Sequence, residues 1–98
     1  MIKSFRHKGL EKFFRTGSTV GIQHKHVDKL QNLLTALDNA KDLDDLAVPA
    51  WRLHLITGYN PKKQSVEGHY SLHVNANWRI TFTFEGNDVI LTDYMDYH

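Results

Sequence analysis

The sequence predicts an α+β fold: an early strand and two N-terminal helices packed on one face of a mainly antiparallel sheet. Three observations predict it. The chain opens on a short apolar segment, Ile2 to Phe5. Two segments then repeat apolar residues at helical spacing. From Trp51 onward the period changes to two.

Ile2 to Phe5 is the first strand. In the next segment Leu10, Phe13 and Phe14 take the i, i+3, i+4 places of a buried stripe, while Lys8, Glu11, Lys12 and Arg15 face outward. Gly17-Ser18 ends this helix. Val27, Leu30, Leu33, Leu34 and Leu37 make the stripe of the second helix. Asp42 suits the cap of a short turn leading to Leu43 and Leu46, and Pro49 stops the helical region.

Trp51, Leu53 and Leu55 then alternate with Arg52, His54 and Ile56, as a strand requires. A loop from Thr57 to about Gly68 follows. Tyr70, Leu72 and Val74 alternate with Ser71, His73 and Asn75. After an Asn75-Ala76-Asn77 turn, Trp78, Ile80, Phe82 and Phe84 alternate with Arg79, Thr81, Thr83 and Glu85. Gly86-Asn87 turns the chain into a last strand, Val89 to Thr92, that runs into the tail. Leu53, Leu55, Leu72, Val74, Ile80 and Phe82 should meet the helices. His54, Ser71, His73, Arg79 and Thr81 should then lie on the uncovered face.

The chain has 98 residues, which points to one domain spanning 1–98, and 41% of them are hydrophobic, enough for a modest core. Without cysteine there is neither a disulfide framework nor a thiolate metal site. No apolar run approaches a membrane span and no signal peptide opens the chain, so a soluble cytoplasmic protein is expected. Net charge is +1, but Lys3, Arg6, Lys8, Lys12 and Arg15 crowd the start. Such a face engages phosphates. The plainer reading is a solvated helix face.

The chemistry gathers around Arg79, His54 and the ending Asp96-Tyr97-His98. Arg79 on an open sheet face offers a fork of donors matched to phosphate. The plainer alternative is a cross-strand pair with an acid such as Asp93. His73 shares the face of His54, and periodicity does not separate them. His, Arg, Asp and Tyr suit RNA cleavage by the substrate's own 2′-hydroxyl. That reaction needs a base, an acid and a cation at the phosphate, with no metal or other cofactor. His24-x-His26 precedes a helix and lacks further ligands at suggestive spacing.

These residues carry a resemblance. The opening Met1-Ile2-Lys3-Ser4-Phe5-Arg6-His7-Lys8-Gly9-Leu10, the strand Trp51-Arg52-Leu53-His54, the run Asn77-Trp78-Arg79-Ile80-Thr81-Phe82 and the terminal Asp96-Tyr97-His98 resemble HigB-type toxins of the RelE/ParE superfamily. The similarity spans essentially the full chain. It implies a microbial-ribonuclease-like sheet with helices on one face. It also implies an endoribonuclease, an mRNA interferase that enters the ribosomal A site and cuts the messenger there.

By the resemblance the catalytic residues are His54, Arg79, Asp96, Tyr97 and His98. Lys3, Arg6, Lys8, Lys12, Lys62, Lys63 and His73 would hold RNA backbone. Partners would be the 70S ribosome, mRNA and a HigA-like helix-turn-helix antitoxin, with operator DNA reached only through that antitoxin. Thr57 stands where many relatives carry a lysine, and the longer loop after it brings Lys62 and Lys63. Two alternatives come from other classes. One is a ParE-like inhibitor of DNA gyrase, which needs no acid–base tail. The other is a nucleic-acid- or protein-binding module whose histidines are structural.

Overall fold

The fold is known from a computed structural model that describes residues 1–65 and 67–97. It is α+β, with two helices and a five-stranded mixed sheet in the order β1-β5-β4-β3-β2. The strands are β1 (Ile2–Phe5), β2 (His54–Leu55), β3 (Tyr70–Asn75), β4 (Trp78–Glu85) and β5 (Asp88–Asp96). The helices are α1 (Lys8–Thr16) and α2 (Val27–Asn39).

Each helix forms where its sequence provides both a stripe and an end. His7 caps α1: its Nδ1 accepts the Leu10 N–H at 3.1 Å. Gly17, left-handed at φ 78°, closes it by donating to the Phe13 carbonyl at 2.9 Å. Leu10 and Phe13 are its buried residues. In α2 the buried residues are Leu30, Leu33, Leu34 and Leu37. A 3₁₀ turn at Leu43–Leu46 is capped by the Asp42 carboxylate, which accepts the Asp45 N–H, and it buries Leu46 completely.

These side chains form one apolar cluster with Leu72, Val74, Ile80 and Phe82, the inward positions of β3 and β4. Trp78 and Leu53 pack against its margin. Truncating one of its fully buried leucines, such as Leu33, falls in the class that costs about 2–5 kcal/mol.

Three expectations need correction. The sheet is mixed because β1 runs parallel to β5, with Ile2 opposite Val89 and Phe5 opposite Leu91. The chain leaves β1 through helices rather than a hairpin, and such a connection permits parallel pairing. The strand expected from Trp51 to Ile56 is only His54–Leu55. Pro49–Trp51 is a 3₁₀ turn, and Arg52 after it is left-handed at φ 50°. Leu53 still packs against the apolar cluster, but Leu55, expected inward, is 55% exposed, and Ile56 is buried outside that cluster. Finally, the face opposite the helices is not bare, since Ser71 and Thr81 are both buried there.

Candidate active site

Strand register brings the first pair of site residues together. Ser71 on β3 lies opposite His54 of β2 on one side and Thr81 of β4 on the other. Its small side chain leaves room above the middle strand, and Arg79 reaches across it. The Arg79 Nη1 stands 3.3 Å from the His54 Nε2, and the Ser71 Oγ is 3.3 Å from each ring nitrogen of His54.

The left-handed turn at Arg52 now has a consequence. It presents the Arg52 carbonyl 2.9 Å from the His54 Nδ1. A carbonyl can only accept, so Nδ1 carries the proton of the neutral ring. Nε2 is left with its lone pair, and the guanidinium N–H of Arg79 is its donor. Among the described residues Arg79 has no ion-pair partner. Asp93, the acid proposed for a cross-strand pair, instead accepts the Tyr94 N–H at 2.8 Å.

Tyr97 completes this face. The Arg79 Cζ lies over its ring, 5.4 Å from the centroid. Its backbone N–H donates to the Asn77 carbonyl at 2.8 Å, which ties the tail to the β3–β4 turn. Burial pushes the phenol upward and Asp93 adds to this, against smaller opposing effects of Arg79 and Thr81. The hydroxyl is therefore protonated at neutral pH. It lies beside Thr81, outside good hydrogen-bond geometry. Arg79 and Tyr97 line a shallow hollow of about 310 Å³ with Tyr59, Asn60 and Pro61.

The remaining site residues divide. Asp96 pairs with Trp78, so alternation sets it on the Ile80 side of the sheet rather than the Arg79 side. His98 lies outside the described residues. His73 is half-buried, with Nε2 2.9 Å from the Ala76 carbonyl. Lys3 is held by Glu85, whose hydrogen bond and charge raise its pKa. Lys12 and Lys63 are exposed, and neither lines the larger cleft. Arg6, Lys8 and Lys62 do meet, around that cleft of about 440 Å³.

Sequence reasoning missed three contributors to that cleft. His7 is the α1 cap, and a histidine just before a helical stripe was its only signal. Asn60, in an Asn-Pro turn, is buried and holds the loop: its Oδ1 accepts the N–H groups of Lys62 and Gln64, each at 2.9 Å. His69 stands 3.4 Å from the Thr92 Oγ1, and Thr92 meets Thr81 at 2.7 Å.

A short-helix sheet protein with a histidine–arginine pair at its sheet edge fits the RelE-like toxins of type II toxin–antitoxin systems. The family model described as the RelE-like toxin of the type II toxin–antitoxin system HigB matches residues 3–98, and the chain belongs to that family. A relative named endoribonuclease HigB, from Proteus vulgaris, is 42% identical over 98 residues, covering 100% of both chains. Among the described residues no helix is long and apolar enough to cross a membrane.

Proposed function

We propose that the chain is a ribosome-dependent mRNA endonuclease, a single toxin domain over residues 1–98 that stops translation by cutting the messenger in the A site. The observation that carries this reading is the Arg79–His54 contact, with the His54 tautomer set by the Arg52 carbonyl. The family relationship supports it, since the Proteus vulgaris relative is named as an endoribonuclease.

In this reaction the 2′-oxygen attacks the adjacent phosphorus. A cyclic phosphate forms, and the bond to the 5′-oxygen breaks. His54 Nε2 has the lone pair to take the 2′ proton. Arg79 turns its fork from His54 to the non-bridging oxygens, where charge builds up. Tyr97 holds the guanidinium and the substrate in position. His98 supplies the proton to the leaving 5′-oxygen, and Asp96, on the Ile80 side of the sheet, supports the acid–base work through the tail rather than from the Arg79 face. Lys3, Arg6, Lys8, Lys12, Lys62, Lys63 and His73 hold RNA backbone. The toxin acts in the cytoplasm, and a HigA-like helix-turn-helix antitoxin neutralises it.

The test compares ribosome-bound and naked messenger with purified protein, with and without such an antitoxin. Cuts within codons on ribosomes only, abolished by the antitoxin, are the expected result. Equal cutting of naked RNA would remove the ribosome requirement. Supercoiling inhibition without any cut would remove the nuclease.

A further inference from the structure

We propose that the cleft beside the Arg79–His54 site is a phosphate subsite, holding the RNA phosphodiester next to the one that is cut. The proposal rests on the nuclease reading. Arg6, Lys8 and Lys62 converge on the cleft from three places in the chain. Among the described residues neither Arg6 nor Lys62 has an ion-pair partner, and Lys8 meets only Glu11, loosely, at 3.8 Å. Among the described residues Asp93 is the single carboxylate in the lining, and its Oδ1 is occupied by the Tyr94 N–H. Three cations against one engaged carboxylate make the cleft attractive to an anion.

The site is built rather than incidental. The Asn60 side chain fixes the loop that carries Lys62 through two hydrogen bonds of 2.9 Å. His7 is set with equal care. Its Nδ1 is occupied by the Leu10 N–H, so the neutral ring carries its proton on Nε2 as a donor. Glycine at position 9 makes room for that ring, because a Cβ there would stand 2.9 Å from the His7 Cε1.

Position selects the phosphate. Asn60 lines both this cleft and the hollow of Arg79 and Tyr97, so the two adjoin. Thr81 in the cleft lies two residues from Arg79 on β4, about 7 Å along the strand. That is the scale separating successive phosphates of an extended single strand. An acidic segment of a protein partner is the competing occupant.

The test uses the full chain and a short RNA made uncuttable by a 2′-deoxy substitution at the scissile nucleotide. Affinity is measured at several salt concentrations for the wild type, the double variant Arg6→Ala/Lys62→Ala, and Lys41→Ala as an exposed control. Both cleft side chains are exposed, so the fold should be unaffected. The double variant should bind about tenfold more weakly, as for lost charge-assisted hydrogen bonds. Its salt slope should fall by about 0.7 for one phosphate. On ribosome-bound messenger it should raise KM and keep the rate at saturation.

Unchanged affinity and slope in the double variant overturn the subsite, whether or not the wild type cuts. Weakened binding with a wild type that never cuts supports the phosphate site and removes the nuclease reading instead. Unchanged RNA affinity with weakened antitoxin binding assigns the cleft to an acidic protein segment, and also overturns the proposal.

Discussion

Arg79 donates across the middle of the sheet edge to His54: Nη1 and Nε2 are 3.3 Å apart, with Ser71 between their strands. The contact places a phosphate-binding fork beside an imidazole lone pair before any substrate arrives. Replacing His54 by Gln keeps a polar group near Arg79 but removes the imidazole lone pair that takes the 2′ proton in the proposed reaction. Cleavage should fall by about 10²–10⁴-fold, the range for losing general base catalysis, with thermal stability nearly unchanged. Single-turnover rates and a melting curve check this. A loss below tenfold would take the base role from His54.

Ser71 matters for its size. It is fully buried, and its hydroxyl touches the His54 ring. Ser71→Leu fills the space over which Arg79 reaches. The expected result is a folded protein with the turnover defect of His54→Gln, because the pair is parted rather than removed. A structure of the variant with the 3.3 Å contact intact would contradict the explanation.

Tyr97 acts through its ring in this account. Tyr97→Phe keeps the face beneath Arg79 and should lose less than about tenfold in rate, whereas Tyr97→Ala removes a half-buried cation–π contact worth about 0.5–2 kcal/mol, and the substrate's platform with it. If the two variants lose the same rate, the hydroxyl rather than the ring is what counts.

A pH effect follows from His26. Its ring is buried, with Nδ1 2.7 Å from the Tyr94 hydroxyl and no partner for Nε2 among the described residues. Burial, and then Lys25, lower its pKa below the ordinary 6.5. The sign is therefore fixed. Above about 6.5 both folded and unfolded forms are neutral. As pH falls through that value the unfolded chain binds a proton that the native ring refuses, so stability drops. The drop ends below the folded pKa. His7 and His69 shift the same way, each chiefly through burial. Urea unfolding should show stability declining from pH 7.5 to 5.5, and His26→Phe should flatten the decline. An unchanged slope in that variant would exclude His26 as a source.

Much of this was legible in the residues. The helical stripes ending at Leu37 reported themselves by periodicity, because each buries one face, and Ile2–Phe5 by its apolar ends, both buried. Alternation put His54 and Arg79 on a common face. The rest depends on information that no local pattern carries. A non-glycine residue in left-handed conformation at Arg52 stands where the expected strand is broken, and β2 is left with two residues, of which Leu55 is exposed rather than inward. The parallel pairing of β1 with β5 joins the two ends of the chain, across all the other elements. A register shift in β5 beside Thr81 and Phe82 interrupts simple alternation before Asp96. The cleft draws on His7, Asn60 and His69, which are far apart in the chain and meet only through the fold.

The most direct test of the central claim maps messenger 5′ ends by primer extension on translating ribosomes, with wild-type protein and Arg79→Ala at matched concentration. Cuts within A-site codons for the wild type, reduced at least about 10²-fold for the variant, are predicted, as for the loss of a donor to developing negative charge. Wild-type cuts that persist undiminished in Arg79→Ala would contradict the account.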